Sequence, residues 1–132
     1  MQIGTNNQDY IIDPFPMFDN IREKLKFILE DPLVTKLVFD GKNEFDWVTR
    51  DFQIFLDGAL DVQKLFSFVY NLKQPASLKS AVGQLVPWMD FPKTETFSDW
   101  RRRPLTDSMI KYAQNDVYGL LELWIALQKM VR

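Results

Sequence analysis

A phenol and a carboxyl group stand four positions apart near the end of the chain, at Tyr112 and Asp116. The chain contains no His and no Cys, which excludes imidazole bases, thiol nucleophiles, and zinc or iron sites built on those side chains. Catalysis must then use carboxylates, Lys, Tyr, Ser or Thr, and a bound metal must be a hard cation held by oxygen. Residues four apart on a helix share one face, so these two groups are candidates for one site. A solvated pair or a local hydrogen bond is the structural alternative.

Two charged clusters stand elsewhere in the sequence. The run Arg101-Arg102-Arg103 follows Trp100 and either contacts phosphate groups or forms salt bridges with some of the 18 acidic residues. The second cluster is acidic, with Asp40, Glu44 and Asp46 around the predicted start of a helix. Acids at such a place either bind a ligand or cap the helix N-terminus. The residue types alone leave both functions open.

Composition limits the class of protein. With 132 residues, 46% of them hydrophobic, the chain is long enough to form one domain with a buried core, and we predict a single domain over residues 1–132. The formal net charge of −2 argues against a protein that is basic throughout, while local basic patches remain compatible with it. We see no apolar run long enough to span a membrane and no secretory signal, so we expect an intracellular protein, of the nucleus or the cytoplasm.

Hydrophobic periodicity and breaker residues predict nine elements in the order ββ-α-β-α-β-α-α-α. In chain order they are a β-hairpin over 1–12, a helix from Asp19 or Asn20 to Glu30, a strand at 36–39, a helix at 43–52, a strand at 59–62, and helices at 62–72, 78–85 and 107–131. Strands that alternate with helices predict an α/β layered sheet with parallel crossovers. Ligands of such folds gather at the carboxyl ends of the strands, which directs attention to residues 40–46 and to the last helix.

Apolar spacing also predicts which helix faces are buried. The first helix should bury Ile21, Leu25, Phe27, Ile28 and Leu29, and the helix at 62–72 should bury Leu65, Phe66, Val69 and Leu72. The last helix, capped by Thr106, should bury Met109, Ile110, Ala113, Val117, Leu120, Leu121, Trp124 and Leu127. A Pro- and Trp-rich loop is expected over 87–104.

The segment around Tyr112 resembles the third motif of the DEDDy 3′–5′ exonucleases, a group that includes RNase D, the exosome-associated nuclear exonuclease and the Werner-type exonuclease. That motif reads close to DWR-x-RPL and then Y-A-x-x-D, and the chain has Asp99-Trp100-Arg101-Arg102-Arg103-Pro104-Leu105 and then Tyr112-Ala113-Gln114-Asn115-Asp116. Upstream, the segment 36–52 is similar to the family's second motif, Leu60-Asp61-Val62-Gln63 to its FDTQ, and Ser77-Leu78 to its SL helix start. The resemblance runs in the family's order from residue 1 to about residue 127.

This resemblance implies a three-layer RNase H-like fold and hydrolysis of single-stranded nucleic acid from its 3′ end, with RNA favoured over DNA and two Mg²⁺ or Mn²⁺ ions. It implies that the catalytic residues are Tyr112, Asp116 and Glu44, with Tyr112 orienting the attacking water. The implied metal ligands are Asp116, Glu44 and Asp46. The implied phosphate contacts are Arg101, Arg102, Arg103, Lys42 and Lys111.

The sequence departs from the family pattern at two places. The family opens with D-x-E on the central strand of the sheet, whereas Met1–Thr5 is similar to the strand that follows it, so the fold is expected to lack its first strand. Glu44 stands where ungapped alignment puts the Asp of the second motif. With part of the ligand set absent, we expect the isolated chain to be weak or inactive.

Two hypotheses remain open at this point. The chain is the body of an exonuclease whose opening strand comes from an upstream segment or another chain, or it is a degenerate module that binds protein or nucleic acid. In the second case exposed strand edges favour homodimerisation or strand exchange. Trp88, Phe91 and Phe97 would line such a contact, unless they pack in the core.

Overall fold

The computed structural model describes residues 1–91 and 95–131, and the chain divides into two compact units. The terminal unit comprises Met1–Ile12 and Leu78–Arg132, and the central unit comprises Asp13–Ser77. Part of the predicted loop 87–104, at residues 92–94, lies outside the described residues.

The order of elements is the predicted one. In chain order they are β1 (Gln2–Gly4), β2 (Asp9–Ile11), α1 (Phe18–Leu29), β3 (Lys36–Val38), α2 (Gly41–Phe52), β4 (Ala59–Asp61), α3 (Val62–Val69), α4 (Leu78–Leu85) and α5 (Asp107–Val131). The predicted hairpin is confirmed, since β1 and β2 pair antiparallel with Ile3 opposite Tyr10. The predicted parallel crossover is confirmed by β3 and β4, which pair parallel on either side of α2. The described strands form these two separate pairs rather than one larger sheet.

Helix α5 organises the terminal unit, because both the hairpin and α4 pack on it. Gly4 permits the close approach of β1, since a Cβ at that position would lie only 2.1 Å from the Cγ1 atom of Val117. Phe91 packs against the same helix at Gly119, where a Cβ would lie 2.8 Å from its ring. The buried apolar side chains of this unit are Ala81, Val82, Val86, Met109, Ala113, Leu123 and Leu127.

The central unit is organised by the side chain of Asp61, at the carboxyl end of β4. Its Oδ2 atom accepts a hydrogen bond from the backbone N–H of Gly41 at 3.0 Å, which holds the start of α2. Its Oδ1 atom accepts from the N–H groups of Gln63 and Lys64 at 3.0 and 3.3 Å, which caps α3. A Cβ on residue 41 would lie 3.1 Å from Oδ2 of Asp61 and 3.0 Å from Cγ2 of Val38, so glycine suits this tight junction.

The core of the central unit contains residues from each of its helices and from β3. Its buried apolar side chains are Ile21, Val38, Val48, Phe52, Ile54, Val62 and Phe66.

Three predicted helix boundaries are wrong. Helix α1 begins at Phe18 rather than at a cap on Asp19 or Asn20, because the preceding turn already supplies its first hydrogen bond, from Ile21 N–H to the Met17 carbonyl. Helix α2 begins at Gly41 rather than at 43, because Asp61 satisfies that N–H from outside the segment. Helix α3 ends at Val69 rather than at 72, because Asn71 adopts a left-handed conformation with φ of 50°.

Some predicted buried positions are also wrong. Phe27 is 70% exposed, because a helical step of six residues rotates it about 120° away from Ile21, which is buried. Leu72 lies beyond the end of α3 and is exposed. In α5 the spacing missed Leu123, which is fully buried. The cap of α5 is as predicted, since the Thr106 hydroxyl accepts a hydrogen bond from the N–H of Met109 at 3.1 Å.

None of the helices that the structure describes is long and apolar enough to cross a membrane.

Replacing Asp61 by Ala should lower the free energy of unfolding by about 1–3 kcal/mol, because three backbone donors lose their acceptor at once. Asp61→Asn should lose less, since its amide oxygen can still accept. Urea denaturation gives both values, with Glu23→Ala as the control because the Glu23–Lys24 ion pair is exposed on both sides. Equal stability of the Asp61→Ala variant and the parent chain would contradict this role.

Candidate active site

Helix α5 carries Tyr112 and Asp116 one turn apart, as predicted. The Thr106 cap fixes where the helix begins, and buried Met109 and Ala113 fix which face turns inward. Tyr112 and Asp116 flank Ala113 and are both partly buried. The core of the terminal unit therefore sets the helix face on which the pair lies.

The phenol of Tyr112 is held from the loop before α5. Its hydroxyl oxygen lies 3.1 Å from the hydroxyl of Thr96, and the two share a hydrogen bond. Its ring packs beside Trp100 with centroids 5.9 Å apart and planes tilted by 46°. The loop thus fixes both the ring and the hydroxyl, which leaves the hydroxyl able to orient a water molecule.

Glu95 ties this loop to the start of α5. Its carboxylate accepts hydrogen bonds from the Ser98 hydroxyl and, at 2.7 Å, from the Ser108 hydroxyl in the first turn of the helix. The hydrogen bond from Ser98, and then that from Ser108, hold the pKa of Glu95 below its usual range. We call Glu95, Ser98 and Ser108 the loop clamp. Neither the loop clamp nor Thr96 was predicted from the sequence, since the only signal is a local Glu-x-x-Ser spacing within a loop that has no periodicity.

Asp116 is a carboxyl group that is partly removed from water. Burial raises its pKa to about 6, and the structure shows no hydrogen bond or ion pair to it from residues 1–91 and 95–131. A desolvated carboxylate of this kind is stabilised by a cation or by taking up a proton. Asp116 is thus available to accept a ligand.

The acidic cluster lies on and before α2 of the central unit. Glu44 is in the first turn of that helix and is partly buried. Burial, and then the neighbouring charge of Asp40, raise the pKa of Glu44. Asp40 adopts a left-handed conformation with φ of 63° and accepts a hydrogen bond from the Asn43 side chain. Asp46 is exposed.

The predicted phosphate contacts are all exposed. The Arg101 guanidinium makes a bidentate ion pair with Asp99, at 2.9 and 3.1 Å. Arg103 donates to the carbonyl oxygens of Trp100 and Arg102, both at 2.8 Å. Lys111 lies on α5 of the terminal unit, and Lys42 lies on α2 of the central unit. Their contact with phosphate stays a prediction.

The donors for a metal are of the right kind but are too few. Carboxylate oxygens suit Mg²⁺ and Mn²⁺. Within residues 1–91 and 95–131, however, no three acidic side chains come together in a group that could hold a metal ion. The residues present therefore do not fit a complete two-cation centre.

Comparison with known proteins settles the family. The sequence family described as 3′–5′ exonuclease matches residues 1–132, the whole chain. The chain belongs to the 3′–5′ exonuclease family. This confirms the family indicated by the motif around Tyr112.

Relatives place the domain among RRP6 and RNase D proteins. Protein RRP6-like 1 of Arabidopsis thaliana is 32% identical over 127 residues, which cover 94% of this chain and 19% of that protein. Ribonuclease D of Pseudomonas paraeruginosa is 29% identical over 131 residues, which cover 96% of this chain and 33% of that protein. The chain thus spans a third or less of the length of these two relatives.

Solved structures give the same fold. The catalytic core of RRP6 from Trypanosoma brucei matches 98% of this chain and 35% of its own, with a TM-score of 0.80 and 26% identity. RNase D from the same organism, solved in complex with RNA, matches 96% of this chain and 46% of its own, with a TM-score of 0.83 and 20% identity. The exonuclease domain therefore has the α/β, RNase H-like fold of these cores.

At neutral pH the Asp116→Asn variant of the exonuclease domain should have a higher free energy of unfolding than the parent chain. In acid this difference should vanish. Below the ordinary Asp pKa the carboxyl is neutral in the folded and unfolded chains alike, so its burial penalises neither. As the pH rises towards 6, the unfolded chain loses the proton first and the folded state is penalised. The stability difference between variant and parent should grow from pH 4 to pH 6 and level off above pH 7.

Thermal unfolding across pH 4–7.5 measures this difference, and the exposed Asp46→Asn serves as the matched control. A difference for Asp116→Asn that stays constant across that range would show that its carboxyl is not desolvated.

Proposed function

We propose that this exonuclease-family domain acts on single-stranded RNA from its 3′ end, in preference to DNA, and that the 132-residue chain alone is weak or inactive. The observation that carries the proposal is the pair on α5: a phenol with a fixed hydroxyl beside a carboxyl group that has no hydrogen bond or ion pair within residues 1–91 and 95–131. The preference for RNA is supported by the relatives, which are RRP6-like and RNase D proteins, and by the RNase D structure solved with RNA.

The proposed roles follow the chemistry of each side chain. Tyr112 orients the water that attacks the terminal phosphodiester, because its hydroxyl is held by Thr96. Asp116 on α5, and Glu44 and Asp46 on α2, are the residues whose carboxylate oxygens would bind Mg²⁺ or Mn²⁺. Imidazole and thiolate ligands are not available, since the chain has neither His nor Cys.

The proposed weakness follows from the ligand count. No Asp in the 132 residues is followed two positions later by Glu, so the sequence contains no D-x-E pair. Glu44 replaces the Asp of the second motif with a side chain one methylene longer, and metal-site geometry tolerates such shifts poorly. We propose that the activity requires a D-x-E strand in addition to these residues.

A nuclease assay on a 5′-labelled single-stranded RNA tests the proposed activity. The chain should release at most traces of nucleotide with Mg²⁺ or Mn²⁺. A version extended at Met1 by the D-x-E strand of an RNase D relative should gain activity, because the missing carboxylates are then present. Its matched control carries N-x-Q instead, and Asp116→Ala and Tyr112→Phe in the extended version should each remove most of the gain. Cleavage that survives Asp116→Ala would place the chemistry elsewhere.

RNA binding should show a shallow dependence on salt. Five exposed cations, Lys42, Lys111 and Arg101 to Arg103, are the proposed phosphate contacts. Each ion pair with a single strand contributes about 0.7 to the slope of log K against log salt, so the slope should not exceed about 3.5 in magnitude. Fluorescence anisotropy at KCl concentrations between roughly 50 and 300 mM gives this slope. A much steeper slope would contradict this set of contacts.

A degenerate module that binds protein or pairs with a second copy is the other candidate function. It is favoured by the lack of a three-carboxylate group among the described residues and by Trp88, which is 71% exposed. Of the loop aromatics, Phe91 packs against Gly119 instead of lining a contact. Light scattering separates the two candidates: a dimer that stays inactive after the D-x-E extension supports this one, and an active monomer excludes it.

A further inference from the structure

Phe97 is unusual among the aromatic residues of the terminal unit. Its side chain is 99% exposed, more than any other large apolar side chain in the part of the chain that the structure describes. Single exposed apolar residues are common and carry no function by themselves. The exposure of Phe97 gains significance only from the residues around it.

The backbone that carries Phe97 is fixed on both sides. Thr96 is bonded to the Tyr112 hydroxyl, and Ser98 is bonded to Glu95 through both its hydroxyl and its backbone N–H, the latter at 3.2 Å to the Glu95 carbonyl. Glu95 is in turn bonded to Ser108 at the start of α5. A side chain on such a turn leaves the backbone at a defined place, so the backbone loses little conformational freedom when a ligand binds.

The position is next to the candidate active site. Residue 97 directly follows the Thr that contacts the Tyr112 hydroxyl, and Trp100 on the same loop packs on the Tyr112 ring. The exposed basic run Arg101 to Arg103 follows within six residues. An aromatic face beside exposed cations is the combination by which proteins hold single-stranded nucleic acid, with bases stacked on the ring and phosphates near the cations.

We propose that Phe97 stacks on a base of the single-stranded nucleic acid whose 3′ end reaches Tyr112. This inference rests on the proposed function and adds a binding residue to it. The loop clamp of Glu95, Ser98 and Ser108 holds the backbone at residue 97 in place for this contact. Any base offers a face for stacking, so Phe97 adds affinity without selecting a sequence.

Binding of 5′-labelled single-stranded RNA in EDTA, followed by fluorescence anisotropy, tests the proposal on the full chain without cleavage. Phe97→Ala should weaken binding by about 5- to 100-fold, the range found when an aromatic stacking partner is removed. Phe97→Trp should retain binding and Phe97→Leu should not, because stacking needs a flat ring. Phe68→Ala is the matched control, since Phe68 is 83% exposed on α3 of the central unit and should leave binding unchanged.

A second arm separates stacking from general contact. The RNAs of this arm each lack one base, and the abasic position moves stepwise from the 3′ end. One of these RNAs should have the same affinity for the parent chain and for Phe97→Ala, because the base that stacks on Phe97 is then absent. Thermal unfolding should give the same midpoint for parent and variant, because the removed side chain is exposed.

The results distinguish the two proposals. RNA binding that is equal in the parent chain and Phe97→Ala overturns the stacking role and leaves the proposed function standing. A loss of binding that no abasic position reproduces also overturns it, since the contact is then not with a base. Absence of RNA binding in the parent chain overturns the RNA-binding part of the proposed function together with the role of Phe97. A Phe97→Ala variant that loses self-association in light scattering, with RNA binding intact, assigns the residue to a protein interface instead.

Discussion

The side chain of Asp61 accepts three backbone hydrogen bonds at the end of β4, one from the start of α2 and two from the start of α3. Helix starts expose N–H groups that need acceptors, and one carboxylate serves two of these starts at once. This fixes where α2 begins and hence where Glu44 falls within its first turn. The FDTQ-like segment thus has a structural task in the central unit, and its Asp is bonded to backbone rather than left open to a ligand.

Asp116 shows the opposite arrangement. It is partly buried and has no compensating bond among the described residues, so its ionised form is disfavoured within the fold. Destabilising groups of this kind concentrate at functional sites, because a poised carboxyl gains when a ligand arrives. Glu95, in the loop before α5, accepts hydrogen bonds from Ser98 and Ser108, which lower its pKa and keep it ionised to lower pH. Glu95 thus has a structural role in holding the loop, whereas Asp116 is available to bind a ligand.

Much of the fold could be predicted because its signals are local. The hairpin, the order of nine elements and the Thr106 cap all follow from short sequence patterns, and the motif around Tyr112 was sufficient to indicate the family. Part of what failed depends on contacts between distant residues, whereas the start of α1 and the end of α3 depend on local turns. The start of α2 is set by an acceptor twenty residues away, and the loop clamp joins residues thirteen apart across a segment without periodicity. The metal-ligating role of Glu44 stays a prediction, because neither its burial nor its neighbours reveal what it binds.

Gly4 links the hairpin to the helix that carries Asp116 because it has no side chain. Its missing side chain lets β1 lie against Val117, the immediate neighbour of Asp116 on α5. A methyl group at position 4 would lie only 2.1 Å from the Cγ1 atom of Val117, so the hairpin, the Val117 side chain or α5 would have to shift. A glycine with no functional group of its own therefore sets how closely the hairpin approaches the helix that carries Asp116.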